Sequence, residues 1–323
     1  MDILVTGSIA YDYIMNFPGR FREAIIVDAL DNVSLSFLVD DMSRHYGGVA
    51  ANIAYNIALL GGRPRLFATA GRDFTDYREE LEAIGVDTSS VIVLDDVFTA
   101  SFFATTDLDN NQMATFYAGA MGRAGNYGLT DVIQKSPDLV VISPNAPDAM
   151  ERYVNECIAH QIPYLYDPSQ QTPRTDGETL RHGILNSRYV TANTYEWQLI
   201  EQKTGLRIDE VTKQGITVVV THGKAGSKIY TDEQIYDIPI MDDVKTVDPT
   251  GSGDAFRGGL LRGISLGLDW DVIGRIAALT ATYAVEVVGT QNHRFTIEEF
   301  IARFRRFYDD NGQLDQLRNS VTR

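Results

Sequence analysis

The hydrophobic positions of this chain change rhythm along its length. Ile3-Leu4-Val5 is an unbroken apolar run closed by Thr6 and the Gly7-Ser8 pair, which predicts a short strand buried on both faces. Similar runs predict strands at 65–69, 90–94, 138–142, 163–166, 188–192 and 216–221. Between them the apolar spacing widens to the helical period. Helices are predicted near 73–84, 146–160, 193–203 and 251–289, the last with a break near Gly267. A further helix of small and apolar residues opens at Gly47-Gly48-Val49-Ala50-Ala51-Asn52 and stops at Gly61-Gly62. Strand and helix in alternation predict βαβ units, with a mainly parallel sheet between helical layers.

Two stretches depart from that alternation. In 33–39, Ser34 and Ser36 alternate with Val33, Leu35 and Phe37, the pattern of a half-exposed strand. In 98–118, two β-rich runs flank the polar segment 107–112, which predicts a hairpin. Both are read as parts of a small β lid, 12–46 and 97–120, projecting from a core made of 1–11, 47–96 and 121–323. The polar residues after Tyr308 are expected to fray.

Composition narrows the function classes. At 323 residues, 44% hydrophobic and 22% charged, the chain has the make-up of a globular protein, with room for two domains or for one large α/β domain with an appendage. A net charge of −16 argues against nucleic acid and against an acidic membrane surface as partners. It also obliges any polyphosphate site to rely on helix dipoles, a few cations and Mg²⁺. Cys157 is the single cysteine, so no internal disulfide forms. No apolar run approaches the ~18 residues of a membrane span. The expectation is a cytoplasmic protein.

The chemistry concentrates in VDPTGSGDAFRGGL, 247–260. Gly251-Ser252-Gly253 leads into an apolar helix, and the first N–H groups of a helix make an anion site with the dipole behind them. Asp254 follows at once. A carboxylate holds a phosphate poorly but suits proton removal from a hydroxyl attacking it. The plainer reading is a Gly turn with an Asp favoured by the dipole. The segment lacks the third Gly of a dinucleotide fingerprint, and GKAGS at 223–227 lacks the Lys-Ser/Thr of a Walker loop.

DPTGSGDAFRGG resembles the second signature of the ribokinase-like (PfkB) kinases, with Pro249 and Ser252 departing mildly from the usual form. GGVAAN at 47–52 resembles the first signature. GSIAYDYIMNFPGRF, VSLSFLVDD, DPSQQ at 167–171, NTYEW at 193–197 and VGTQNH at 288–293 are similar to the bacterial adenosine kinases in matching order. The resemblance implies a three-layer α/β/α fold with a β lid, and ATP-dependent phosphorylation of the 5′-hydroxyl of adenosine. It implies Asp254 as the base and Gly251, Ser252 and Gly253 as the anion hole.

It also implies substrate contacts at Ser8, Asp12, Ser36, Gly48, Asn52, Phe102, Phe116, Gln170 and Gln171. An acid and an amide suit a ribose diol, and Phe faces suit a purine. As plain structure these residues read as turn, helix-side, core and surface positions. ATP contacts are implied at Asn193, Glu196, Thr221, Gly223, Gly226, Gly289 and Gln291, with Glu196 meeting Mg²⁺ through water. Asn193 and Glu196 also read as an ordinary capping box. A monovalent cation such as K⁺ is implied beside Asp248, and a homodimer through the lid with Ser36 reaching the neighbouring site. A sugar kinase on the same scaffold, and a nucleoside-binding protein without turnover, are the alternatives.

Overall fold

The computed structural model describes residues 1–25 and 35–321. Its strands, in chain order, are β1 (Ile3–Thr6), β2 (Ala10–Asn16), β3 (Asp41–Gly47), β4 (Arg65–Phe67), β5 (Thr69–Gly71), β6 (Ile92–Leu94) and β7 (Ala100–Thr106). They continue with β8 (Gln112–Tyr117), β9 (Leu139–Ile142), β10 (Tyr164–Tyr166), β11 (Tyr189–Asn193), β12 (Thr217–Thr221), β13 (Ser227–Tyr230) and β14 (Ile235–Ile238).

Eight of them form one sheet in the order β14-β13-β12-β11-β10-β9-β1-β4. Pairing is parallel from β4 to β12 and antiparallel only at the β12–β13–β14 edge. The apolar runs explain the layering. Because side chains alternate across a strand, Ile3, Val5, Leu139, Val141, Leu165 and Val219 enter one core, and Leu4, Val140, Ile142, Tyr164, Tyr166, Val218 and Val220 the other. The first core is covered by helices Val49–Leu59, Ser252–Leu266, Trp270–Val285 and Ile297–Arg305. The second lies under Pro147–Ala159, Gly177–Leu185 and Thr194–Thr204. A sheet buried on both faces between helices is the α/β/α arrangement its strands predict.

A second sheet, β3-β2-β7-β8, stands apart from the first. Its hairpin β7–β8 occupies the stretch expected at 98–118. The strand expected at 33–39 is corrected. Residues 35–39 are irregular with Leu38 83% exposed, 33–34 lie outside the described residues, and the strand is β3, antiparallel to β2. DMSRHYG carries little apolar signal of its own, so its register comes from β2. The expected 251–289 helix is two, Ser252–Leu266 and Trp270–Val285, with Gly267 left-handed at φ 68° between them. Among the described residues, up to 321, the fraying expected after Tyr308 is not seen. Leu314 and Leu317 are fully buried, and Asp315–Val321 is helical.

Candidate active site

Parallel strands place their carboxyl ends along one edge, where open α/β sheets bind ligands. Ser8 lies just past β1, Asp167 directly follows β10, Asn193 ends β11 and Thr221 ends β12. Asp254 faces this edge from the first turn of the Ser252–Leu266 helix. Gly251 caps that helix at φ 76°, and a Cβ there would lie 2.8 Å from Thr290 Cγ2, so the turn admits glycine on two grounds. The Ser252 N–H reaches only the Pro249 carbonyl at 3.3 Å, and the Ala255 N–H returns to Gly251. The N–H groups of Gly253 and Asp254 have no carbonyl one turn back within the helix and serve as donors at its positive end.

Asp254 is held from both sides. Asn52 Nδ2 donates to its Oδ2 at 2.8 Å, and Arg257 Nη1 lies 3.3 Å from its Oδ1. The orientation of the Asn52 amide follows from its neighbours. Its Oδ1 accepts from Gln291 Nε2 at 2.8 Å and Thr290 Oγ1 at 2.9 Å, so the NH₂ faces Asp254. Burial pushes the Asp254 carboxyl above its ordinary range, and Arg257 and Asn52 pull it back. The side chain keeps 13% exposure, enough to meet a small reactant from the cleft.

Asp12 faces the same space from the second sheet. Cross-strand register places His45, Asp12, Phe102 and Phe116 in one row across β3, β2, β7 and β8. Residues paired in this way share a face, so a carboxylate and two aromatic rings line one surface. Burial pushes Asp12 up to about 6, against the pull of His45, with the Asp254 and Asp248 charges adding to the rise. Gly47 lies against it: a Cβ there would meet Asp12 Oδ2 at 2.7 Å. Gly48 (φ 91°) caps the Val49–Leu59 helix, and a Cβ would strike the Ser8 carbonyl at 2.6 Å. Ser8 Oγ accepts from Val49 N at 2.9 Å, which leaves its own O–H as a donor.

The other expected contact residues range from fully engaged within the protein to exposed. Asn52 is bonded at both ends of its amide within the protein, to Asp254 rather than to open cleft. Gln291, expected over the adenine of ATP, is 6% exposed and turned inward onto Asn52 and Tyr77. Gly289 is buried beside His45 and donates to Asp248 at 3.0 Å, on the Asp12 side. Gln171 is buried, its Nε2 donating to the Asn145 carbonyl at 2.8 Å, while Gln170 is exposed. Ser36 is exposed in the irregular segment. Phe102 is half-buried, and Phe116 is 51% exposed.

Asn193 and Glu196 close a reciprocal cap, Glu196 N donating to Asn193 Oδ1 and Asn193 N to Glu196 Oε2, both at 2.8 Å. Glu196 Oε1 has only Ser169 Oγ, at 3.4 Å. Thr221, Gly223 and Gly226 form the turn from β12 to β13 beside it, Gly223 facing open space. Asp248 is fully engaged: Thr250 N and Gly289 N donate to its two oxygens, and these bonds hold it below the ordinary range despite partial burial.

Two charged residues were not singled out from sequence. Arg257 is almost wholly buried, and its Nε lies 2.7 Å from Oδ2 of Asp167, which is fully buried. The legible signal was an arginine three residues after Asp254 inside an apolar helix, where a solvated side chain would not be placed.

The pfkB family carbohydrate kinase pattern matches residues 2–296. A nucleoside kinase of Burkholderia thailandensis, solved with inosine, is 39% identical with a TM-score of 0.80, covering 95% of this chain and 98% of that one. The same protein with ADP-inosine gives a TM-score of 0.79 at 39% identity, covering 95% of this chain and 96% of that one. A nucleoside kinase of Methanothermobacter thermautotrophicus is 31% identical over 306 residues, covering 94% of this chain and 95% of its own.

Proposed function

The chain belongs to the pfkB family of carbohydrate kinases, and from that premise we propose an ATP-dependent nucleoside kinase that phosphorylates the 5′-hydroxyl of purine nucleosides, adenosine among them. The observation that carries the reading is Asp254, a half-buried, tethered carboxylate beside a glycine-capped helix N-terminus, close enough to the Asp12 row for their charges to interact. The nucleoside kinases it resembles end to end support the acceptor class.

In this reading the sugar lies between the two carboxylates. Asp12 accepts hydrogen bonds from the ribose hydroxyls, and the Phe102–Phe116 strip supports the base through its aromatic faces. Asp254 takes the proton of the attacking 5′-hydroxyl. The new O–P bond forms as the bond to the ADP oxygen breaks, and the N–H groups of Gly253 and Asp254 stabilise the charge on the moving phosphoryl. Positioning and these dipoles supply most of the acceleration, and the base adds about 10²–10⁴-fold.

The donor set at Asn193 and Glu196 fits a hard divalent cation. Glu196 offers an oxygen with one long partner, and among the described residues no three His, Cys, Asp or Glu converge, so Glu196 would hold such an ion with water supplying much of its shell. When bound, Mg²⁺ neutralises charge on the polyphosphate. Glu196, rigidly capped, orients that end of the ATP, with the Thr221–Gly226 turn beneath it. The all-exposed edge strand β8, with Met113, Phe116 and Tyr117 uncovered, supports pairing of two copies through the second sheet. A panel of adenosine, inosine, guanosine, cytidine, ribose and fructose, assayed for ADP release with ATP and Mg²⁺, tests the acceptor. Turnover confined to the free sugars would sink the proposal.

A further inference from the structure

We infer that Arg257 is a positioning residue for the reaction proposed above: by spanning Asp254 and the buried Asp167, it holds the Asp254 carboxylate charged and fixed in place for the acceptor hydroxyl. The inference rests on Asp254 being the base. It starts from an oddity of the helix. Arg257 stands in the second turn of Ser252–Leu266, near the positive end of the helix dipole, where a cation is disfavoured. It is also nearly dehydrated, which is costly for any charge without compensation. Neither helix propensity nor packing calls for a guanidinium there.

The compensation comes from two carboxylates on different elements. Asp254 Oδ1 lies 3.3 Å from Nη1, and Asp167 Oδ2 lies 2.7 Å from Nε. Asp167 is wholly buried just past β10, and among the described residues neither of its oxygens meets an aligned hydrogen-bond donor. The Arg257 guanidinium, 2.7 Å away, is the cation that offsets its burial. The guanidinium also borders the anion hole: a Cβ on Gly253 would come within 3.0 Å of Nη1. One cation is thus shared between a buried carboxylate that anchors it and an accessible one that reacts.

The sharing predicts responses of opposite sign. The groups acting on Asp254 are Arg257 on its own helix, Asn52 on the Val49–Leu59 helix, and the charges of Asp12 on β2 and Asp167 after β10. Glu196 and Asp248 act through Arg257 and Asp12. Removing the cation leaves Asp254 among anions and favours its protonated form. Removing the Asp167 charge leaves Arg257 to Asp254 alone and favours the carboxylate.

The test is the pH profile of kcat at saturating nucleoside, ATP and Mg²⁺ for R257M, R257K and D167N, with thermal melting of each. R257M is expected to lower kcat about 10–100-fold with nucleoside KM nearly unchanged, and to move the acid limb up by about 1 pH unit. D167N is expected to move the same limb down, and R257K to restore most of the wild-type limb. A structural ion pair would lower melting temperatures and leave the limb where it is. An unmoved limb in folded R257M overturns the inference; should R257M not fold, a D167N limb that stays or rises does so. D254N keeps the two failures apart. Full turnover in D254N removes the base itself, whereas an inactive D254N with an unmoved R257M limb removes only the role of Arg257.

Discussion

The eight-stranded sheet and the four-stranded sheet use similar numbers of apolar residues per strand and treat them differently. Leu139–Ile142 in the first is buried at every position, while Gln112–Tyr117 in the second is exposed at every position, with Met113, Phe116 and Tyr117 open. Apolar side chains in the large sheet contribute by leaving water between helices. Those of β8 remain wet and so have little to contribute to stability, whereas Tyr11 on β2 and Ala104 on β7 are fully buried. Asp12, Phe102 and Phe116 form one row across that sheet, the row the proposal assigns to a sugar and a base. The large sheet supplies an edge carrying Asp167 and Asn193, with Asp254 on the helix beside it; the small sheet carries Asp12.

Four substitutions and one titration press on this contrast. Beside the large sheet's edge, Asp254→Asn should lower kcat by about 10²–10⁴-fold with nucleoside affinity retained. Turnover within tenfold of the parent enzyme would take Asp254 out of the base role. In the core, Leu165→Ala should cost about 2–5 kcal/mol in denaturant unfolding, because its buried site in β10 cannot collapse freely. On the small sheet, Asp12→Asn should raise nucleoside KM about 10–100-fold with a lesser fall in kcat, the scale of one or two hydrogen bonds to a charge. A kcat loss with KM unchanged would contradict a binding role. Calorimetric titration of adenosine without ATP should show affinity weakening below about pH 6. There Asp12, its carboxyl raised by burial, gains a proton and loses acceptor capacity; affinity returns as the pH rises and it ionises. Flat affinity from pH 5 to 7 would place Asp12 away from the sugar. Smallest in stability is Phe116→Ala, expected within about 0.5 kcal/mol of the parent while adenosine binding weakens several-fold more than ribose binding. Equal weakening of both would remove the base from that face.

The legible parts were those with dense local signal. Apolar runs marked β1, β9 and β12, the mixed Tyr189–Ala192 stretch marked β11, and GSGDAF marked the Ser252–Leu266 helix start with Asp254 in its first turn. The strand β3 was misplaced to 33–39, because Asp41–Gly47 is a strand by virtue of its partner and its polar sequence does not say so. Gln291, expected over ATP, is buried and donates, with Thr290, to the Asn52 oxygen, a contact across 239 positions that no local pattern shows. Arg257 stood in the same motif as Asp254 and passed unmarked. Its meaning lies in Asp167, 90 positions earlier in the chain and reached only through the sheet.

Local spacing along the chain was enough to determine the α/β class, the glycine-capped helix and the acid that follows it, because backbone geometry couples residues three or four apart. Which carboxylate leans on which cation, which amide end faces Asp254, and which sheet stays open to water were decided only by the tertiary structure. Those contacts depend on charge and desolvation between residues as much as 239 positions apart, as Gln291 is from Asn52, and no pattern along the sequence carries that distance.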